Sequence, residues 1–191
     1  IGHFESVIHR CIWTSLFLLI TTIYFSKWKI FFEVIKNKKN LITLFFSGFL
    51  IFINWAVWIY AVSTNQIIDA SFGYFIMPII SVFLGYTFFN EALNMKRKIS
   101  IILVIVSILY ISFSSLNSLP WVGIVVAFSW SFYNLLRKKI NVDTDIGLFI
   151  ESLFILPFAL IGVYFIAINN LNDFSSANLS LSILILLAGP M

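Results

Sequence analysis

Residues 41–62 read LITLFFSGFLIFINWAVWIYAV, an uninterrupted run with no ionisable side chain. As an α-helix, a run of this length rises about 33 Å at roughly 1.5 Å per residue. That matches the roughly 30 Å hydrocarbon core of a bilayer. Within it Leu50-Ile51-Phe52-Ile53 is apolar on every face. A strand of a membrane barrel would be about half as long and would alternate apolar with polar positions. Phe, Ile and Val favour strands in water, but in lipid each backbone group must find its partner within the segment, so helix wins. Ile101-Ile102-Leu103-Val104-Ile105-Val106 repeats the pattern.

Working outward, seven apolar segments are expected, at 7–26, 41–62, 68–89, 99–115, 120–136, 146–168 and 179–191. Of the 191 residues, 61% are apolar and 10% charged, with a mean hydropathy of +1.02. Soluble domains sit near 45–50% and 25%. These values exclude a cytosolic enzyme, a nucleic-acid-binding module and a disordered chain. The fold class expected is an all-α integral membrane bundle. Cys11 is the single cysteine, so neither an intrachain disulfide nor a cysteine metal cluster is expected. The chain starts at Ile1 and stops at Met191 inside an apolar run, and is read as a segment of a longer protein.

Eleven of the 12 basic residues fall in three clusters: Lys27, Lys29, Lys36, Lys38 and Lys39; Lys96, Arg97 and Lys98; Arg137, Lys138 and Lys139. Long apolar runs separate them, which is the positive-inside pattern rather than a nucleic-acid footprint. Loops 27–40, 90–98 and 137–145 are therefore expected on the cytoplasmic side, and 63–66, 114–119 and 169–178 outside. The first segment is too long for a signal peptide and has no small-residue cleavage site before the lysine-rich loop.

Ionisable groups within spans are costly and normally face a cavity or a partner. His9 and Arg10 lie in the outer part of the first segment, one turn after Glu5. Asp69 starts the third segment, and Glu151 lies about five residues into the sixth. Asp69 also suits a helix N-terminus, where anions are favoured, and Arg10 could snorkel to the headgroups. Asn54, Trp55 and Trp58 gather near the middle of the second segment. Tyr74 and Pro78 sit four apart in the third, and Trp130, Tyr133 and Asn134 are expected on one face of the fifth. Pro78 and Pro157 permit bending. Ser81/Gly85 and Gly123/Ala127 are small-residue pairs suited to close helix packing. Asn54, Trp55 and Tyr74 are expected to line a central cavity, with Trp58, Tyr133 and Glu151 along the substrate path. His9, Arg10 and Asp69 would form an outer vestibule in which Arg10 approaches Asp69. Glu151 and Arg10 are too far apart in depth for a direct ion pair.

Asn54-Trp55, followed by Asp69-Ala70-Ser71-Phe72-Gly73-Tyr74-Phe75-Ile76-Met77-Pro78, resembles the RarD-like branch of the EamA, drug/metabolite transporter superfamily. The likeness extends to His9-Arg10 with Trp13, Glu91, Phe132-Tyr133 with Arg137-Lys138-Lys139, and Ile150-Glu151 with Leu156-Pro157. Asn90 and Ser107 stand where glycine is common in that branch, and Asp69 where a longer acid is common. The resemblance implies ten helices in two inverted five-helix repeats with both termini cytoplasmic. Residues 1–115 would then hold helices two to five of the first repeat, and 116–191 helices six to eight of the second.

The function expected is a polytopic inner-membrane transporter, an exporter or permease of small metabolites or drugs. Its partners would be the lipid bilayer and a small-molecule substrate, with no nucleic acid, cofactor or metal. The coupling ion, a proton or another, and a homodimer stay open. A seven-helix photoreceptor would need a late Schiff-base lysine, and no lysine follows Lys139. An intramembrane enzyme would need clustered His or paired acids in the spans, and the only histidines are His3 and His9.

Overall fold

The computed structural model of the chain describes residues 2–115 and 121–169. These form seven helices: α1 (His3–Tyr24), α2 (Trp28–Lys36), α3 (Lys38–Ser63), α4 (Ile67–Phe89), α5 (Met95–Ser115), α6 (Trp121–Lys138) and α7 (Thr144–Ile168). Six match the expected apolar segments 7–26 to 146–168. The seventh expected segment, 179–191, and the loop 169–178 beyond Asn169 lie outside the described residues. Among those described, α1, α3, α4 and α7 are long and apolar enough to cross a membrane. Helix α6 spreads Trp, Ser, Tyr and Asn residues among its apolar ones and ends on Arg137-Lys138.

Segment 27–40 corrects the expectation of a loop. Its lysines conceal a nine-residue amphipathic helix, α2, which buries Phe31 and Val34 and leaves the cations exposed. Asn37 separates α2 from α3 and caps α3, its side-chain oxygen accepting from the backbone N–H groups of Lys39 and Asn40 at 3.1 and 3.3 Å. Asp143 caps α7 in the same way, accepting from Asp145 N–H. Asn90 closes α4 in the left-handed region, at φ 51° and ψ 34°. That conformation favours glycine and, next, asparagine, which suits Asn90 to this position.

Helix α3 is the hub, packing on α6, α7, α1 and α2. Helices α4 and α6 make the most extensive contact, and α1 lies along α7. The α4–α6 crossing is close because both helices present glycine to it. A Cβ on Gly73 would come within 2.5 Å of the Gly123 carbonyl oxygen, and a Cβ on Gly123 would strike that of Asp69. Small residues let backbones approach where lipid provides no hydrophobic drive between helices. Helix α4 runs on through Pro78 and α7 through Pro157.

Three ion pairs show that the three basic segments share one end of the bundle. Lys27 Nζ bonds Asp145 at 2.8 Å and Asp143 at 3.2 Å, tying the α1–α2 junction to the start of α7. Lys138 at the end of α6 pairs with Glu91 after α4. An apolar core at this basic end packs Leu18, Phe31, Val34, Leu44, Ile146 and Phe149. A second, around Val7, Ile8, Cys11, Ile155 and Ala159, joins α1 to α7 further along.

Candidate functional site

Glu151 is fully buried and lies on the seam where α3, α6 and α7 meet. Because α7 begins at Thr144, Glu151 stands about 10 Å in from its start, two residues deeper than the sequence reading placed it. Each of its oxygens has a donor. Ser47 Oγ of α3 donates to Oε1 at 2.6 Å, and Tyr133 OH of α6 donates to Oε2 at 3.3 Å. Arg137 of α6 brings Nε to 3.7 Å from Oε1. Burying a lone carboxylate in a low-dielectric interior costs several kcal/mol, and only donors and an opposite charge offset it. Here two helices, α3 and α6, contribute those groups to one carboxyl on a third.

The backbone is shaped for this cluster. Gly48, next to Ser47, lets α3 lie against Glu151, whose carbonyl oxygen would be 3.1 Å from an added Cβ. Gly147 lies one turn before Glu151 on the same face of α7, and the Arg137 guanidinium occupies the space its side chain would fill. Arg137 also donates from Nη2 to the Thr144 carbonyl at 3.4 Å. The sequence reading missed Ser47 entirely and assigned Arg137 to a solvated basic loop. The signal for Arg137 was the Gly147/Glu151 spacing of four, a gap beside an acid on one helix face.

Asn54, buried at mid-length in α3, donates from Nδ2 to the Val126 carbonyl and to Ser129 Oγ, both at 3.1 Å. It binds α3 to α6. Trp55 points elsewhere: the Arg10 guanidinium of α1 stacks 4.7 Å from its ring centroid. Trp58 meets Tyr74 of α4 edge-on at 5.5 Å, and Tyr74 is exposed. The group expected to line one cavity is thus divided. Asn54, Tyr133 and Glu151 face helix seams, whereas Arg10 with Trp55 and Trp58 with Tyr74 form cationic and aromatic contacts nearer the opposite end.

Among the described residues no ion pair joins Arg10 to Asp69. Asp69 lies in the first turn of α4, and its carbonyl packs beneath Gly123. His9 instead faces Glu5 one turn earlier, Nε2 to Oε1 at 3.7 Å. Glu151 and Arg10 do not pair, Arg137 being the cation that reaches Glu151. Trp130 packs on Tyr133 at 5.5 Å. Asn134 does not share that setting: it is exposed and faces a cleft of ≈ 430 Å³ at the basic end, with Ser81, Ser131, Glu91 and Lys138. Among the described residues no cluster of His, Cys, Asp or Glu is arranged to hold a metal.

Comparison with known proteins identifies the family of the chain. Residues 1–113 match the model of the EamA-like transporter family. Protein RarD of Salmonella typhi is 32% identical over 185 residues, covering 97% of this chain and 63% of that protein. The RarD protein of Escherichia coli K12 is equally similar, at 32% over 185 residues. An uncharacterized transporter of Bacillus subtilis, YojE, is 36% identical over 155 residues, 80% of this chain and 52% of its own. The chain thus spans a little under two thirds of the length of these RarD proteins. No solved structure matches it. On the strength of the family match and of these identities, this multi-pass membrane chain belongs to the EamA-like transporter family.

Proposed function

We propose that the full-length protein is a secondary transporter of small organic solutes in a bacterial inner membrane, driven through Glu151. The observation that carries this reading is the fully buried Glu151 carboxyl of α7, held jointly by Ser47 of α3 and by Tyr133 and Arg137 of α6. A carboxyl placed where helices meet changes its partners when those helices move, and its proton then moves with them. Intramembrane acids serve proton relays for this reason.

In this reading Arg10, Trp55, Trp58 and Tyr74 line the path on the side away from the basic loops. Asn54 holds α3 against α6 beside it. A few polar groups among aromatics suit amphipathic organic solutes. His9 and Asp69 flank the entrance. The loops 27–40, 90–98 and 137–145 lie in the cytoplasm, as their cations favour. The whole protein has ten helices in two inverted repeats, with residues 1–115 in the first and 116–191 in the second. It moves a solute without making or breaking a covalent bond.

The test is a comparison of the small-molecule content of medium and cytosol in cells expressing the full-length protein, its Trp55→Ala/Tyr74→Ala variant or an empty vector. One or a few solutes are expected to redistribute in the wild type alone, at equal membrane abundance. Identical profiles in all three would overturn the proposal.

A further inference from the structure

Helix α5 leans on α4 but leaves a second cleft between them, of ≈ 320 Å³. Its walls are Pro78, Ile79 and Val82 of α4 and Ile101 and Val104 of α5. Its mouth, at the basic end, carries Lys96 and Arg97 with Asn94 and Ser100. Asn94 Oδ1 accepts from the Arg97 backbone N–H at 2.9 Å, which fixes the first turn of α5 beside the cleft. Glu91, the carboxylate in the adjoining cleft, is engaged by Lys138. The outer face of α5 is exposed at Ile102, Leu103 and Val106, so the cleft lies on an apolar flank of the bundle.

We propose that this cleft binds one anionic phospholipid, its phosphate held by Lys96 and Arg97 and one acyl chain lying between α4 and α5. Two observations combine in this assignment. The cations at the mouth complement a phosphodiester at headgroup depth, where basic pockets between helices select anionic lipids. The walls below the mouth are apolar and continuous, which suits a chain attached to that phosphate and gives nothing to a free anion. A volume of ≈ 320 Å³ admits a hydrocarbon chain and is far too small for a helix about 10 Å across. The bound lipid fills the gap that α5 leaves on α4 and so secures α5 to the bundle.

The test uses the full-length protein in a mild non-ionic detergent. It is titrated with phosphatidylglycerol, phosphatidylcholine or glycerol phosphate, and bound lipid is counted by native mass spectrometry alongside the thermal midpoint. Phosphatidylglycerol should be retained in preference to phosphatidylcholine and should raise the midpoint, while glycerol phosphate should not. Lys96→Gln/Arg97→Gln should weaken phosphatidylglycerol retention by on the order of tenfold, as expected for two cations beside an anionic headgroup. Val104→Trp, which fills the apolar arm and keeps both cations, should weaken it too. Lys36→Gln/Lys38→Gln, at the same end but outside the cleft, should not. Equal retention of the two lipids, wild-type retention by Val104→Trp, or equal losses in the two charge variants would overturn the assignment. Protection by glycerol phosphate equal to that by the lipid would overturn it in favour of a soluble-anion site.

Discussion

Ser47 supplies the shortest bond to Glu151, 2.6 Å, and a hydrogen bond to a charged group contributes about 1.5–3 kcal/mol. Ser47→Ala should therefore lower the stability of the full-length protein by about that amount, read as thermal unfolding in detergent. Combined with Glu151→Gln, the loss should fall short of the sum, because both changes break one contact. Additive losses would separate Ser47 from Glu151. Gly147→Ala makes a sharper test, since its methyl group must displace the Arg137 guanidinium. It should reproduce the phenotype of Arg137→Gln while leaving both charges in the sequence. Glu151 and Asn54 were legible in the sequence because polar groups deep in a span must be partnered. Arg137 was not, because it heads a run of three cations whose charge pattern describes a loop. Only the approach of α6 to Gly147 draws it inward.

The helices themselves were legible from the length of their apolar runs, because lipid leaves the backbone one solution. Helix α2 was not: its lysines set the average of the segment, and the buried stripe of Phe31 and Val34 is too short to register against them. The contact between α4 and α6 was foreshadowed by Gly123 and Ala127, although Gly73 is the partner that makes it close. Gly123→Val should push these helices apart and cost about 1–3 kcal/mol, as overpacking typically does. A thermal midpoint unchanged from wild type would show that the crossing is looser than described. At the basic end the pairs set a pH window. Lys138 holds the Glu91 carboxyl below its ordinary value of 4.5, and Lys27 holds that of Asp143 below 3.8. Asp145 and Asp143 hold the Lys27 ammonium above 10.5. The carboxylates thus favour the paired state above their ordinary values, an advantage lost as pH falls through the depressed ones. Lys27 favours it below about 10.5, an advantage lost as pH rises through its raised value. Amide protection factors in 24–28 and 138–144 should be level between about pH 5 and 9 and fall outside that range. Lys27→Gln should remove the alkaline fall and leave the acid fall at Glu91. A break near neutrality would contradict this assignment.

Over the whole molecule, the three basic clusters share one end, as their spacing between apolar runs required, and Lys27–Asp143 and Lys138–Glu91 stitch that end together. The division of the expected cavity group was not legible, because a 100° turn separates Asn54 from Trp55 and only the positions of α1 and α6 decide what each one meets. Asn54→Leu should therefore act on assembly, lowering stability by about 0.6–1.7 kcal/mol, the range for hydrogen bonds between membrane helices. Trp55→Ala, which loses the Arg10 stack and packing on the α1–α7 core, should lower transport even where membrane abundance is unchanged. Equal effects of the two on both readouts would place them in one site after all. The central claim concerns Glu151, and reconstitution tests it most directly. Full-length wild type and Glu151→Gln are placed in liposomes with the solute identified from cells. Uptake driven by an imposed pH gradient is then compared with exchange of labelled for unlabelled solute in the absence of a gradient. The account predicts that Glu151→Gln exchanges solute but no longer accumulates it. Gradient-driven accumulation by Glu151→Gln at the wild-type level would contradict it and leave Glu151 as a contact between helices.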